Sequence, residues 1–97
     1  MANLYKADGT VSVVTPSKGS RWTLGELQGH VGGCIELMPG LRKVRVIMNQ
    51  EAALRGLPVN RRATDLVLEL LATTPAPLRY VPVIRGDVLV LTPGERM

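Results

Sequence analysis

Three groups of side chains in this chain of 97 residues have types that do chemistry. The first is the sole histidine and the sole cysteine, His30 and Cys34, close neighbours in sequence. A thiolate nucleophile needs a base within hydrogen-bond reach and a third group to orient that base. Nothing in the spacing specifies the third group, so a packed histidine and a free thiol are the simpler assignment. The second group is acidic: Glu36, Glu51, Asp65 and Asp87 are scattered, without the spacing of a metal loop or a paired-carboxylate site. A single cysteine also excludes an internal disulfide and a cysteine-based zinc site within one chain. No cofactor or metal is therefore expected, and catalysis is the least favoured function.

The third group is cationic. Between Leu41 and Arg62 stand six bases, Arg42, Lys43, Arg45, Arg55, Arg61 and Arg62, against one acid, Glu51. Asn60, Arg61 and Arg62 fall where a helix should begin, and free amides at a helix N-terminus attract anions. The macrodipole mildly disfavours cations there, so two arginines in that place raise the question of what anion they meet. The candidate anion-binding set is Asn60, Arg61, Arg62, Arg55, Arg45 and Lys43. The opposing reading is a solvated face, with Asp65 neutralising Arg61 across one helical turn.

These groups depend on a small number of elements. Asp8-Gly9 between two β-type runs predicts a tight hairpin turn, with strands near 3–6 and 10–15. An exposed Pro-, Ser- and Gly-rich loop follows. Thr23, three residues before Glu26, has the spacing of a capping box. Leu24, Leu27 and Val31 would give that helix one apolar stripe, and Gly32-Gly33 would end it. Gly29, Gly32 and Gly33 match neither a phosphate loop nor a dinucleotide fingerprint, because they close a helix instead of opening one.

Pro39-Gly40 is read as a two-residue turn joining two strands. That register sets Met38 opposite Leu41, Glu36 opposite Lys43 and Ile35 opposite Val44, with opposite charges on one face and aliphatics on the other. Asn60 is a strong cap for a second helix, whose Ala63, Leu66, Val67, Leu70 and Leu71 form a clear amphipathic pattern stopping before Pro75. Gly86-Asp87 then precedes a mostly apolar strand at 88–92. The expected fold is α+β, a single domain over 1–97, with a small mostly antiparallel sheet of five or six strands packed with two helices. Strand Val88 to Leu91 is taken as an edge on which a second copy pairs.

Hydrophobic residues make up 45% of the chain, enough for a modest core in one compact domain. Aromatics are limited to Trp22, Tyr5 and Tyr80, so the core must be aliphatic and a base-stacking platform would be thin. The net charge of +4 and pI near 9.8 permit a polyanion partner. The N-terminus has no cationic segment leading into an apolar run, and no stretch approaches the roughly 20 apolar residues of a membrane span. An intracellular setting is expected.

At "GGCIEL", "MNQEAALRGLPVNRRAT" and "IRGDVLVL" the sequence resembles a family of small phage- and plasmid-encoded proteins catalogued as a domain of unknown function. The matching residues are Leu24, Leu27, Val31, Gly32, Gly33, Ile35 and Glu36, then Asn49 and Glu51, then Gly56, Leu57, Pro58, Asn60, Ala63 and Thr64, and then Ile84 and Gly86 to Val90. Cys34 stands where that pattern has an aromatic and Gln50 where it has an acid. The resemblance implies a mobile-element origin and action in the cytoplasm of an infected host, without supplying a reaction. The expected function is accessory and binding: inhibiting a host protein or sequestering a phosphorylated small molecule such as a defence signal. The alternative is weak DNA or RNA binding through the same basic half.

Overall fold

A computed structural model describes residues 2–19, 21–38, 44–72, 83–92 and 95, with Leu71 and Ala72 described in backbone only. Five strands and two helices follow the order β1 (Ala2–Tyr5), β2 (Val11–Val14), α1 (Leu24–Val31), β3 (Ile35–Leu37), β4 (Arg45–Asn49), α2 (Arg61–Ala72) and β5 (Val88–Leu91). The strands make one sheet in the order β2-β1-β5-β4-β3, every neighbouring pair antiparallel. The α+β class, the two helices and five strands agree with the sequence.

Strand alternation divides the apolar residues between two faces. Ala2, Leu4, Ile47, Leu89 and Leu91 meet Leu27, Val31 and Trp22, so α1 covers one face. Val46, Val88 and Val90 meet Ala63 and Val67, so α2 covers the other. β5 lies at the centre with all four residues buried. The edge role expected for Val88 to Leu91 is therefore wrong. A strand buried on both faces reads as a continuous apolar run, and "VLVL" is such a run, whereas among the described residues the edges are β2 and β3.

The first hairpin closes through Lys6 and Thr10, with Lys6 N donating to Thr10 O at 2.9 Å and Gly9 N to Lys6 O at 3.0 Å. Its loop has three residues, Ala7, Asp8 and Gly9, and Gly9 takes a φ of 96°. Thr23 and Glu26 form the expected capping box, and Glu26 also accepts from Ser17 N at 2.9 Å, tying the preceding loop to α1. That amide, assisted by Thr23, holds the Glu26 carboxyl below its ordinary range. Leu27 and Val31 are buried as expected, but Leu24 is 58% exposed, so the stripe is shorter than predicted.

The β3–β4 register differs from the expected one. Ile35 pairs with Asn49, Glu36 with Met48 and Leu37 with Ile47. The predicted register would have set Ile47 against Gly32, which is already committed as the left-handed cap of α1 with a φ of 82°. β3 cannot extend back past that cap. Pairing the apolar centre of β4 thus requires a longer connection, and Glu36 faces Met48 instead of Lys43. The Pro39-Gly40 turn and Lys43 lie outside the described residues.

Candidate functional site

The end of the sheet where β1 and β4 finish and β5 begins gathers the polar side chains. Asn60 anchors it. Its Oδ1 accepts from Ala63 N at 3.0 Å, which is the expected N-cap. Its Nδ2 donates to Tyr5 O and to Gly86 O, both at 2.8 Å, and its own amide donates to Ile84 O at 2.8 Å. Asn60 is buried, so it serves as a structural joint between α2, β1 and the approach to β5, not as a ligand contact. Thr64 extends the joint, donating to Asn60 O at 2.8 Å and accepting from Ile84 N at 3.0 Å.

Asn49 plays a matching part on the α1 side. It is buried, donates from Nδ2 to Val31 O at 3.1 Å and accepts from Glu51 N at 2.8 Å. A Cβ on Gly33 would come 3.1 Å from that Nδ2, which accounts for the glycine after the helix cap. The turn that follows β4 is thereby held against the C-terminus of α1. Arg55, at its far side, donates from Nη1 to Gly32 O at 3.3 Å and lies 3.9 Å from Glu51.

Between these joints opens a cleft of about 260 Å³. His30 and Gly32 of the α1 end, Arg55, Pro58 and Asp87 are among its walls. Asp87 accepts from Ala7 N at 3.0 Å, fixing one carboxylate oxygen on the first hairpin. The lining is electrostatically mixed. Arg55 contributes a cation, while Asp87 and the carbonyl end of α1 contribute negative potential. An anion is therefore favoured beside Arg55 and disfavoured beside Asp87.

Of the six predicted site residues, the five that are described do not converge. Arg61 and Arg62 are exposed on the first turn of α2, at this same end of the molecule. The Arg61–Asp65 pair expected from spacing is not formed; among the described residues the ion pair is Arg55 with Glu51. Arg45 is at the other end of β4, four residues from Asn49 and so roughly 13 Å away along the strand. Its Nη1 lies 3.5 Å from Glu95 O. Lys43 is outside the described residues.

His30 and Cys34 form no dyad. The imidazole packs edge-to-face on Trp22 with ring centroids 5.6 Å apart, and no hydrogen bond joins it to the exposed thiol. Sequence reasoning did not assign Asn49, His30 and Asp87 to one place. A polar residue closing the apolar run of β4, and an acid directly before the apolar run of β5, were the signals available.

An antiparallel α+β domain with a helix on each face and a cleft of mixed lining at one sheet end defines the class. The chain belongs to the family described as domain of unknown function DUF3846, whose model matches residues 5–96. Comparison with curated proteins and with solved structures finds no match. No helix among the described residues is long and apolar enough to cross a membrane.

Proposed function

We propose that this protein is an accessory protein of a mobile element that acts by binding in the host cytoplasm. It sequesters a phosphorylated small molecule or inhibits a host protein through an anionic group, in the manner of a counter-defence factor. The observation that supports this most is the state of Arg61 and Arg62: both are exposed and neither has a salt-bridge partner among the described residues. Arg55 lies at the rim of the adjoining cleft. At about 260 Å³ that cleft falls short of the roughly 300–1,000 Å³ usual for drug-sized ligands, and Asp87 disfavours an anion inside it, so a phosphoryl group would sit at the Arg55 side with the remainder of the ligand outside. The mobile-element origin rests on the sequence resemblance alone.

Weak nucleic-acid binding is the second reading, favoured by the same unpaired arginines. Calorimetric titration with pyrophosphate and with a nucleoside triphosphate, beside a mixed-sequence DNA duplex at two salt concentrations, tests both. Saturation at one equivalent that is lost in Arg61→Ala/Arg62→Ala supports the phosphate site. Duplex binding alone, falling steeply with salt, supports the second reading. Absence of any heat that depends on these arginines overturns both.

A further inference from the structure

The β2 edge carries the feature most open to partnership. Among the described residues the sheet ends at β2 and β3. β3 is three residues long and carries Glu36, the kind of charge that blunts an edge. β2 reads Val-Ser-Val-Val, without charge or proline, and its burial pattern is exposed over Val11, Ser12 and Val13.

Its backbone polarity is fixed by the hairpin. Lys6 N donates to Thr10 O, so that pair is hydrogen-bonded. Antiparallel pairs alternate, which makes Leu4–Ser12 and Ala2–Val14 bonded pairs and turns the N–H and C=O groups of Val11 and Val13 away from β1. The Val11 and Val13 side chains lie on the α2 face, beyond Tyr5 and Asn3, and remain 40% and 63% exposed. An outward donor and acceptor therefore recur every second residue beside two solvated valines.

We propose that β2 is the docking surface for a second copy of this chain, paired antiparallel about a two-fold axis through Ser12. Ser12 then faces its own copy in a non-hydrogen-bonded pair, and Val11 faces Val13 of the partner subunit in bonded pairs on the α2 face. A slip of one residue would oppose valine to serine across the two faces, so the side-chain pattern fixes the parity of the register. The charges agree with the direction. Asp8, with Lys6 beside it, stands at the turn end of β2, and Lys18 and Arg21 stand beyond the other end, so antiparallel docking sets the Asp8 of each copy toward the more basic margin of the other. Glu26, also at that second margin, is already engaged by Ser17 and Thr23. The product is one ten-stranded sheet, twice the five strands of one copy, with both α1 helices on the same face.

Disulfide trapping tests the register. In a Cys34→Ser background, which removes the exposed native thiol, Ser12→Cys places two thiols on the axis. Non-hydrogen-bonded partners have Cα atoms about 4.5 Å apart, within the range a disulfide spans. Linked dimer should form about tenfold faster than from a Gln50→Cys control at an exposed position away from the edge, because pairing raises the local thiol concentration. Adding Val13→Pro should return Ser12→Cys to the control rate. Val13 N–H is outside the β1 ladder, so circular dichroism should remain that of the folded chain. Should Val13→Pro unfold the protein, Val13→Lys at the same exposed position makes the same comparison. Equal rates for Ser12→Cys and Gln50→Cys, or linkage indifferent to the folded Val13 variant, would overturn the proposal.

Discussion

The side-chain amide of Asn60 donates to the carbonyl of Gly86 at 2.8 Å, across 26 residues, while the same side chain caps α2. One buried residue thus fixes both where the second helix starts and how the chain enters the central strand. Asn60→Asp separates the two tasks. The carboxylate keeps the capping oxygen but has no donor for Tyr5 O and Gly86 O, and it places a charge beside those two carbonyls. A capping residue alone would accept aspartate with little change. Here Asn60→Asp should cost about 3 kcal/mol or more, as much as Asn60→Ala. Thermal unfolding should show a fall in Tm of roughly 12 °C or more for a domain of this size.

Gly86 sits on the other side of that bond with a φ of 78°, and a Cβ there would meet Leu57 Cδ1 at 2.9 Å. Gly86→Ala combines a backbone cost of about 1–2 kcal/mol with a steric one. Leu57→Ala in the same chain should relieve the steric part and leave the backbone part. Denaturant unfolding of the two single variants and the double variant should therefore give a combined loss smaller than the sum of the singles. Simple additivity would show that Leu57 moves aside freely.

Much of the fold was legible because local and tertiary preferences agree. Thr23 and Glu26, Gly32 and Asn60 carry caps whose chemistry is contained in a few consecutive residues. The β3–β4 register was not legible, because it depends on α1 ending at Gly32 and leaving the chain free to pair only from Cys34 and Ile35 onward. The central position of β5 depends on which strands return to it, which spacing along the chain does not encode. The arginines illustrate the same limit: six bases within 22 positions looked like one face, yet β4 carries Arg45 away from the end where Arg55, Arg61 and Arg62 lie.

Glu95 supplies a pH-dependent link. Burial raises its carboxyl affinity for protons, but hydrogen bonds from Thr92 N and from the Trp22 indole outweigh it and hold the group below its ordinary value of 4.5. The folded carboxyl binds a proton less readily than the unfolded one. Its contribution is thus complete above the ordinary value and is lost as pH falls through the lower folded value. Glu95→Gln puts an NH2 where donors of Trp22 or Thr92 now point, and should cost about 1–3 kcal/mol at pH 7. The Tm difference between this variant and the wild-type protein should shrink as pH falls from 6 to 3. A constant difference would show that the carboxylate charge has no part in the link.

Arg61 and Arg62 are placed against the dipole of α2, whose first turn contains no acid to offset them. Their structural contribution should therefore be slightly unfavourable, by about 0.3–1 kcal/mol each at low salt. Arg61→Ala/Arg62→Ala should unfold at the same denaturant concentration as the wild-type protein or a higher one, and the gain should fade as salt is raised. The same variant should lose pyrophosphate binding at least tenfold, since a charged contact contributes about 1.5–3 kcal/mol. A gain in stability together with a loss of binding is the pattern of residues retained for contact and not for folding. If the double variant instead unfolds more readily by about 1 kcal/mol or more, a loss larger than usual for exposed substitutions, the arginines hold the fold and the anion site lies elsewhere.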